Sequence, residues 1–306
     1  MAERVAYFNG AYVLESEVRI SMYDRGFIYG DAAYDIARTF RHRPFRLTEH
    51  VDRLFRSLRY IDLDCGLTAQ QVVDITLEVF EKNRKSLDPE DDVNLVQRIS
   101  RGVGGFVPEG SPTVIIHCIP IPFDRFVPFY RDGIHLTLVS TRRTPPECLD
   151  PRAKLHNKLN HIQAEKEARA VDPQAHALML DLNGHVAEGP SYNVLMIRDR
   201  TLLSPRDQNI LEGVTRDAIM ELAPKIGLDV LETNLTPYDL YTADELLTVS
   251  TSYTLFPVSV FNGRRLPGAV PGPVTGQILK AWTDLTGVDI VEQARKASAL
   301  RAAGQR

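Results

Sequence analysis

The sequence predicts an α/β (α+β) protein of two domains, and three observations carry that reading. Runs that alternate in the manner of strands recur along the chain together with amphipathic stretches of helical period. At 306 residues the chain is long enough for two domains, each with a core of its own. The segment CIPIPFDRFVPFYRDG, residues 118–133, carries three prolines and reads as the connection between them. The expected division is an N-terminal domain over 1–121, a linker over 122–133 and a C-terminal domain over 134–306.

Val5–Phe8 and Ala11–Leu14 flank Asn9-Gly10, a pair suited to the left-handed backbone of a tight turn, so they read as a hairpin. The stretch YDRGFIYGDAAYDIARTF, residues 23–40, is strand-like and punctuated by Gly26 and Gly30. Leu47–Tyr60 is an amphipathic helix with Val51, Leu54, Phe55 and Leu58 on one face and Thr48 as the expected N-cap. Thr68 and Gln71 have the capping-box spacing and open a second helix that runs to about Lys85. Residues 93–101 and 113–119 follow as strands, joined by the glycine-rich RGVGGFVPEG. In the second half, residues 134–141 read as a strand. Residues 151–168, PRAKLHNKLNHIQAEKEA, read as a helix with Lys154 at its head and Leu155, Leu159 and Ile162 burying it. Residues 176–182 and 185–188 flank Asn183-Gly184 as another hairpin, and 194–197 form a further strand. A helix over 214–225 is ended by Pro224 and Gly227, 245–249 and 256–260 are strands, and 273–285 is a helix with proline at its first turn.

Several function classes are disfavoured. The formal net charge is −4 and no basic stripe dominates, which argues against a nucleic-acid partner. No run approaches the length of about eighteen apolar residues that a membrane span needs, and MAERVAYFNG lacks the apolar core of a secretory leader. Cys65, Cys118 and Cys148 are far apart and show neither a CxxC pair nor a zinc spacing, so a reducing cytoplasm is the expected location. His156 and His161 are off a common helix face, and no metal site is expected.

The residues that could carry chemistry fall in a few segments. A nucleophilic lysine needs a fixed, partly desolvated position, and the first turn of a packed helix would give Lys154 one. Lys158, four residues on, would repel it and with burial bring its pKa below the usual ~10.4. Glu188 in VAEGPSYN is a carboxylate on a strand-rich turn. Val214 and Thr215 in LEGVTRDAIMELA stand at a helix N-terminus, where unpaired N–H groups and the helix dipole favour phosphate. Ser250, Thr251 and Ser252 follow a strand in LTVSTSYT, and Arg53 in HVDRL can grip a phosphate through two N–H groups. Each alone is met more often as a solvated charge, a helix cap or a polar loop. Together they are the parts that hold pyridoxal phosphate, whose ring nitrogen a buried carboxylate keeps protonated.

DRGFIYGDAAYD, HVDRL, DPRAKLHNKLNHI, AEGPSYNV, LEGVTRDAI and GPVTGQI, in that order from about residue 8 to 285, make the chain resemble the fold-type IV pyridoxal-phosphate enzymes. That family includes branched-chain and D-amino-acid aminotransferases, (R)-selective amine transaminases and aminodeoxychorismate lyase. The resemblance implies an N-terminal α/β domain, a C-terminal pseudo-barrel with the cofactor between them, and at least a homodimer in which the partner's loop completes the substrate pocket. Residue by residue, it implies that Lys154 bears the cofactor, Glu188 pairs with the ring nitrogen and Arg53 holds the phosphate. Val214, Thr215, Ser250 and Thr251 would supply phosphate-binding amides and hydroxyls. Leu211 would pack on the ring, although it reads equally as a core leucine. Tyr34 matches an aromatic position of the substrate pocket, although a tyrosine in a strand is more often core. Apart from the resemblance, Arg98 and Arg101 in QRISRG are alternatives for a substrate carboxylate, a strand arginine facing solvent equally often, and Ser252 is a further residue expected to meet the substrate.

The implied activity is transfer of an amino group from an amino acid or (R)-amine to a 2-oxo acid, with the Lys154 amine moving the α-proton. Lys158 stands where many members carry a tyrosine, and a basic residue there also occurs in the lyase branch. The lyase threonine falls at Ile36, which transfers no proton. The arginine–histidine pair of D-amino-acid aminotransferases would fall in 104–107 and is absent. TRRTPPECLDP resembles (R)-amine transaminases and some branched-chain enzymes alike. A binding protein that has kept the scaffold without catalysis is the third reading, and uptake of the cofactor separates it from the other two.

Overall fold

In the computed structural model, which describes residues 3–85, 87, 91–107 and 110–302, Asn9 and Gly10 take φ of 47° and 96°. They turn β1 (Val5–Phe8) into its antiparallel partner β2 (Ala11–Leu14), as the Asn-Gly pair predicts. This hairpin belongs to the first of two units, Met1–Ile121 together with Ala153–Asn157. The unit continues with α1 (Arg25–Ile28), β3 (Ala32–Phe40), β4 (Arg43–Phe45), α2 (Leu47–Tyr60), α3 (Ala69–Arg84), β5 (Val93–Ser100) and β6 (Thr113–Pro120). Its strands form one antiparallel sheet in the order β2-β1-β6-β5-β3-β4. Helix α2 packs on β3 and α3 on β6, burying Val51, Leu54, Leu58, Val72, Val79 and Phe80.

Helices α2 and α3 run close to the expected bounds. The capping box of α3 forms, with Gln71 N–H donating to Thr68 Oγ1 at 3.2 Å and Thr68 N–H to Gln71 Oε1 at 2.8 Å. The N-cap of α2 differs from expectation. Arg46, at φ 49°, occupies it and Thr48 lies inside the first turn, because the left-handed residue lets the helix begin directly after β4.

The helix expected to start at Lys154 does not form there. Tyr34 N–H donates to Lys154 O and His156 N–H to Ala32 O, both at 3.0 Å, and Leu155 bridges Ala33. Residues 154–156 therefore lie extended along the edge of β3. That edge satisfies backbone groups that a helix would have paired internally, and it buries Leu155.

The second unit comprises Pro122–Arg152 and Lys158–Arg306. The stretch read as a linker is helical instead, as α4 (Phe123–Asp132). Pro122 sits at its N-cap, outside the ladder of helical hydrogen bonds, and Pro128 is tolerated inside. Buried Phe123 and Tyr130 anchor the helix, with Tyr130 Oη donating to Tyr253 O at 2.6 Å. Then come β7 (Ile134–Leu138), α5 (Leu159–Val171), β8 (Ala175–Leu178), β9 (Glu188–Gly189), β10 (Tyr192–Arg198), β11 (Thr201–Pro205), α6 (Val214–Leu222) and β12 (Asp229–Thr233). The chain closes with α7 (Pro237–Tyr241), β13 (Glu245–Ser250), β14 (Thr254–Phe261), β15 (Arg264–Arg265), α8 (Pro273–Thr286) and α9 (Ile290–Ala302).

The strand order is β12-β11-β10-β13-β14-β7-β8, with β9 on β10 and β15 on β14. Just beyond β8, Met179 N–H donates to Glu188 O at 3.1 Å and Ala187 N–H to Met179 O at 3.0 Å. These bonds join β8 to β9 and hence to β10, closing the strands into the pseudo-barrel. Helix α5 buries Ala164 and Ala168 against Val139, Ala175, Ala177 and Met179. Leu159 and Ile162, expected to bury it, are 68% and 48% exposed. The face that packs is the one whose small side chains let the helix approach the sheet. Gly227, at φ 76°, ends the extension of α6 as anticipated. No helix among the described residues is long and apolar enough to cross a membrane, and no group of three or more potential metal ligands occurs among them.

Candidate functional site

Side chains alternate along β3, so Tyr34 and Asp35 point to opposite faces. Asp35 faces α2, where residues three apart share a side. Arg53 Nε donates to Asp35 Oδ2 and Arg53 Nη2 to Oδ1, each at 2.8 Å. His50 Nδ1 lies 2.8 Å from the same Oδ1. A carboxylate only accepts, so that imidazole nitrogen carries the proton. Burial pushes the Asp35 carboxyl up, but Arg53 and His50 outweigh it and hold it well below the usual carboxylate range. Burial lowers the pKa of His50, with Arg53 and Lys154 adding to the effect against the pull of Asp35.

On the other face, the Lys154 Nζ lies 4.7 Å from the centroid of the Tyr34 ring. The β3–β5 register sets Arg98 opposite Tyr34. The Arg98 guanidinium carbon is 5.5 Å from that centroid, and the His156 ring centroid 5.1 Å from it. Arg98 Nη1 is 3.5 Å from His156 Nε2. Arg98 and His156 line a cavity of about 530 Å³ with Ile20, Met22, Phe27 and Ile115. Burial lowers the pKa of Arg98, which stays a cation at any physiological pH. The backbone of Lys154 is fixed from α2 as well: its N–H donates to Ser57 Oγ at 2.9 Å, and that hydroxyl donates to Arg53 O at 3.0 Å.

In the second unit Glu188 is buried and is met by donors alone among the described residues. Arg143 Nε reaches Oε1 at 2.8 Å; Asn193 Nδ2 and the Leu211 N–H reach Oε2 at 3.0 and 2.9 Å. Asn193 Nδ2 also donates to Leu211 O at 3.0 Å. Asn193 is the hub of this group. The register of β10 sets it opposite Glu188 on one side and Val249 on the other, so Ser250 and the turn 251–253 begin just beyond it. Gly213 borders it too: a Cβ at 213 would stand 2.1 Å from Asn193 Oδ1, so only glycine fits.

Gly213 is the N-cap of α6 and supplies no side-chain cap, leaving the amides at Val214 and Thr215 as the start of an uncapped helix. After the 251–253 turn, Thr254 takes φ 68°, and its buried hydroxyl has no hydrogen-bond partner among the described residues. A buried carboxylate fixed by three donors, an uncapped helix start and hydroxyls at a neighbouring turn form a set of polar groups that fits a phosphorylated pyridine.

The structure thus gathers the sequence-predicted residues into two groups. Lys154, Tyr34 and Arg98 share one neighbourhood in the first unit, with Arg53 on α2 tied to it through Ser57. Glu188, Leu211, Val214, Thr215, Ser250, Thr251 and Ser252 lie on the Asn193 side of the second unit's barrel. Sequence reasoning missed Asp35, His50, Ser57, Arg143 and Asn193. Asp35 and Asn193 stand inside the quoted motifs GDAAYD and AEGPSYN. His50 and Arg143 stand inside the quoted HVDRL and TRRTPPECLDP, but Arg143 meets Glu188 across 45 residues and Ser57 meets Lys154 across 97, so nothing local marks either role.

A family model described as amino-transferase class IV matches residues 32–261. The chain is 34% identical over 284 residues to the "Putative branched-chain-amino-acid aminotransferase" of Methanocaldococcus jannaschii, spanning 91% of this chain and 95% of the relative. It is 32% identical over 257 residues to the aminodeoxychorismate lyase of Bacillus subtilis, spanning 82% and 84%. Among solved structures, the branched-chain amino acid aminotransferase of Escherichia coli matches with a TM-score of 0.85 at 28% identity, over 93% of this chain and 95% of that chain.

Proposed function

The chain belongs to the class IV aminotransferases, and from that premise we propose which of its residues run the reaction and on what donor. It is an aminotransferase, moving an amino group from a donor to a 2-oxo acid. Members of the family use pyridoxal 5'-phosphate, which when bound accepts the amino group and stabilises charge developing at the donor's α-carbon. Lys154 would bind that group covalently, and its Nζ, freed when the donor's amine takes its place, would hold the α-proton and return it. Glu188 meets the ring nitrogen. The amides of Val214 and Thr215, the hydroxyls of Thr215, Ser250 and Thr251, and Arg53 hold the phosphate, and Leu211 packs on the ring. Tyr34, Arg98 and Ser252 meet the donor. Arg98 takes a carboxylate, and the apolar lining beside it favours an amino acid with an apolar side chain over an (R)-amine.

The observation that carries the reading is the setting of Glu188. A buried carboxylate met by an arginine, a carboxamide and a backbone amide is fixed in direction, as a partner for a ring nitrogen must be. Purified protein supplied with pyridoxal 5'-phosphate should show a yellow absorbance band that bleaches with an amino donor. Lys154→Ala should lose both the band and turnover, and turnover retained in that variant would overturn the assignment. A panel of L-amino acids, D-amino acids and (R)-amines, read at the same band, tests the donor class.

The kinship with the Bacillus subtilis lyase supports a second reading, in which pyruvate is released without an acceptor. Ile36 offers no proton-transferring group where that branch carries threonine, so turnover should depend on an added 2-oxo acid. A protein that stays colourless with the cofactor would favour a binding role on the same scaffold. Exposed Met22, Tyr23, Phe27 and Phe106 in the first unit support assembly to at least a homodimer, which light scattering measures directly.

A further inference from the structure

We propose that α2 is a positioning element for both cofactor anchors of the first unit, with Asp35 setting the Arg53 fork and Ser57 setting the backbone of Lys154. The proposal rests on the roles given above to Arg53 and Lys154. His50, Arg53 and Ser57 recur along one side of α2 and are 1%, 3% and 1% exposed. A buried polar stripe costs stability unless every member is paired. An apolar stripe would pack the same helix at least as well. Its pairing is therefore informative, and the pairs form a closed circuit.

The circuit has four links. Tyr34 N–H donates to Lys154 O at 3.0 Å. Lys154 N–H donates to Ser57 Oγ at 2.9 Å, and Ser57 Oγ donates to Arg53 O at 3.0 Å. The Arg53 fork then returns to Asp35, the neighbour of Tyr34, through two bonds of 2.8 Å. A guanidinium is planar and rigid, so a carboxylate on its Nε–Nη2 edge sets the plane in which its other donors lie. The serine hydroxyl can donate and accept at once, and here does both. Lys154 is thereby held on one side by β3 and on the other by the helix turn that carries Arg53. Displacing either anchor displaces the other, so loss of Asp35 or Ser57 should be felt at a phosphate and at the lysine amine.

The test compares two ligands of the full-length protein. Pyridoxal 5'-phosphate reports phosphate binding and reaction with the lysine amine together. Pyridoxamine 5'-phosphate has no aldehyde and reports phosphate and ring binding alone. Asp35→Asn should weaken both by about tenfold or more, with Asp35→Glu restoring part of the loss. Ser57→Ala should weaken the aldehyde ligand by a larger factor than the amine ligand, with Ser57→Thr restoring it. Dissociation constants are compared at a temperature where far-ultraviolet circular dichroism matches the unsubstituted protein, because a purely structural role would move the melting temperature and leave both constants alone. Where Asp35→Asn fails to fold, Asp35→Glu and Ser57→Ala decide. Arg53→Gln is the control: if it binds both ligands normally, the phosphate role of Arg53 fails. If it loses affinity while folded Asp35 and Ser57 variants bind both ligands as the unsubstituted protein does, the positioning proposal is overturned.

Discussion

Replacing Arg143 with methionine removes the cationic partner of a carboxylate that is well shielded from water. The Arg143 and Glu188 side chains are 8% and 5% exposed. Breaking such a pair strands a desolvated charge, at a cost of about 3–5 kcal/mol. Glu188 would keep two donors, Asn193 Nδ2 and the Leu211 N–H. Those charge-assisted bonds hold the expected loss near the lower end, about 3 kcal/mol. Glu188→Gln strands Arg143 in the same way, whereas the double variant strands neither. The two single losses should therefore exceed the double loss by about 2 kcal/mol. Urea unfolding of the cofactor-free protein measures all three. Trp282 is the chain's single tryptophan, 1% exposed, and lies in the same unit as the pair, so its fluorescence follows the relevant unit. A single-variant loss below about 0.5 kcal/mol, or additivity within that margin, would refute the reasoning.

Three further outcomes are expected. Gly213→Ala should drive the Asn193 carboxamide off Glu188, because the new Cβ falls 2.1 Å from Asn193 Oδ1; loss of affinity for pyridoxal 5'-phosphate by titration checks it. His50, lowered from 6.5 by burial, binds a proton in the unfolded chain before it does in the native one. Stability should thus be complete above pH 6.5 and fall toward acid by up to about 1.4 kcal/mol per pH unit. Urea midpoints across that range should flatten in His50→Gln relative to the unsubstituted protein. Leu54→Ala empties a position that is 0% exposed beneath α2 and should cost about 2–5 kcal/mol in the same unfolding assay.

What was legible in the sequence had local causes. The Asn9-Gly10 turn, the Thr68–Gln71 box and the apolar face of α2 each depend on residues within a few positions, and each formed. The segment 122–133 misled because proline spacing says where a helix loses bonds, not whether Phe123 and Tyr130 will bury and hold it. Lys154 misled for a related reason. Its helical pattern was real from Leu159 onward, but the open edge of β3, more than a hundred residues earlier in the chain, took residues 154–156 as a partner. The motif residues Glu188, Val214 and Thr215 were readable because a strand turn and a helix start can be recognised in place. Arg143 reaches Glu188 across 45 residues of chain and Ser57 reaches Lys154 across 97, distances that no short window contains, whereas Asn193 meets Glu188 only five residues away but does so through the fold-back of β10 on β9.

The pentapeptide Ala153–Asn157 counts with the first unit although its flanking chain belongs to the second. During synthesis, therefore, that unit waits for its last piece until after Pro122–Arg152 has been made. A gene cut after Ile121 would yield a sheet whose Ala32 carbonyl and Tyr34 amide meet solvent or a foreign strand, and the product would lack the lysine as well. Grafting those five residues back through an engineered loop is the smallest repair that would restore both.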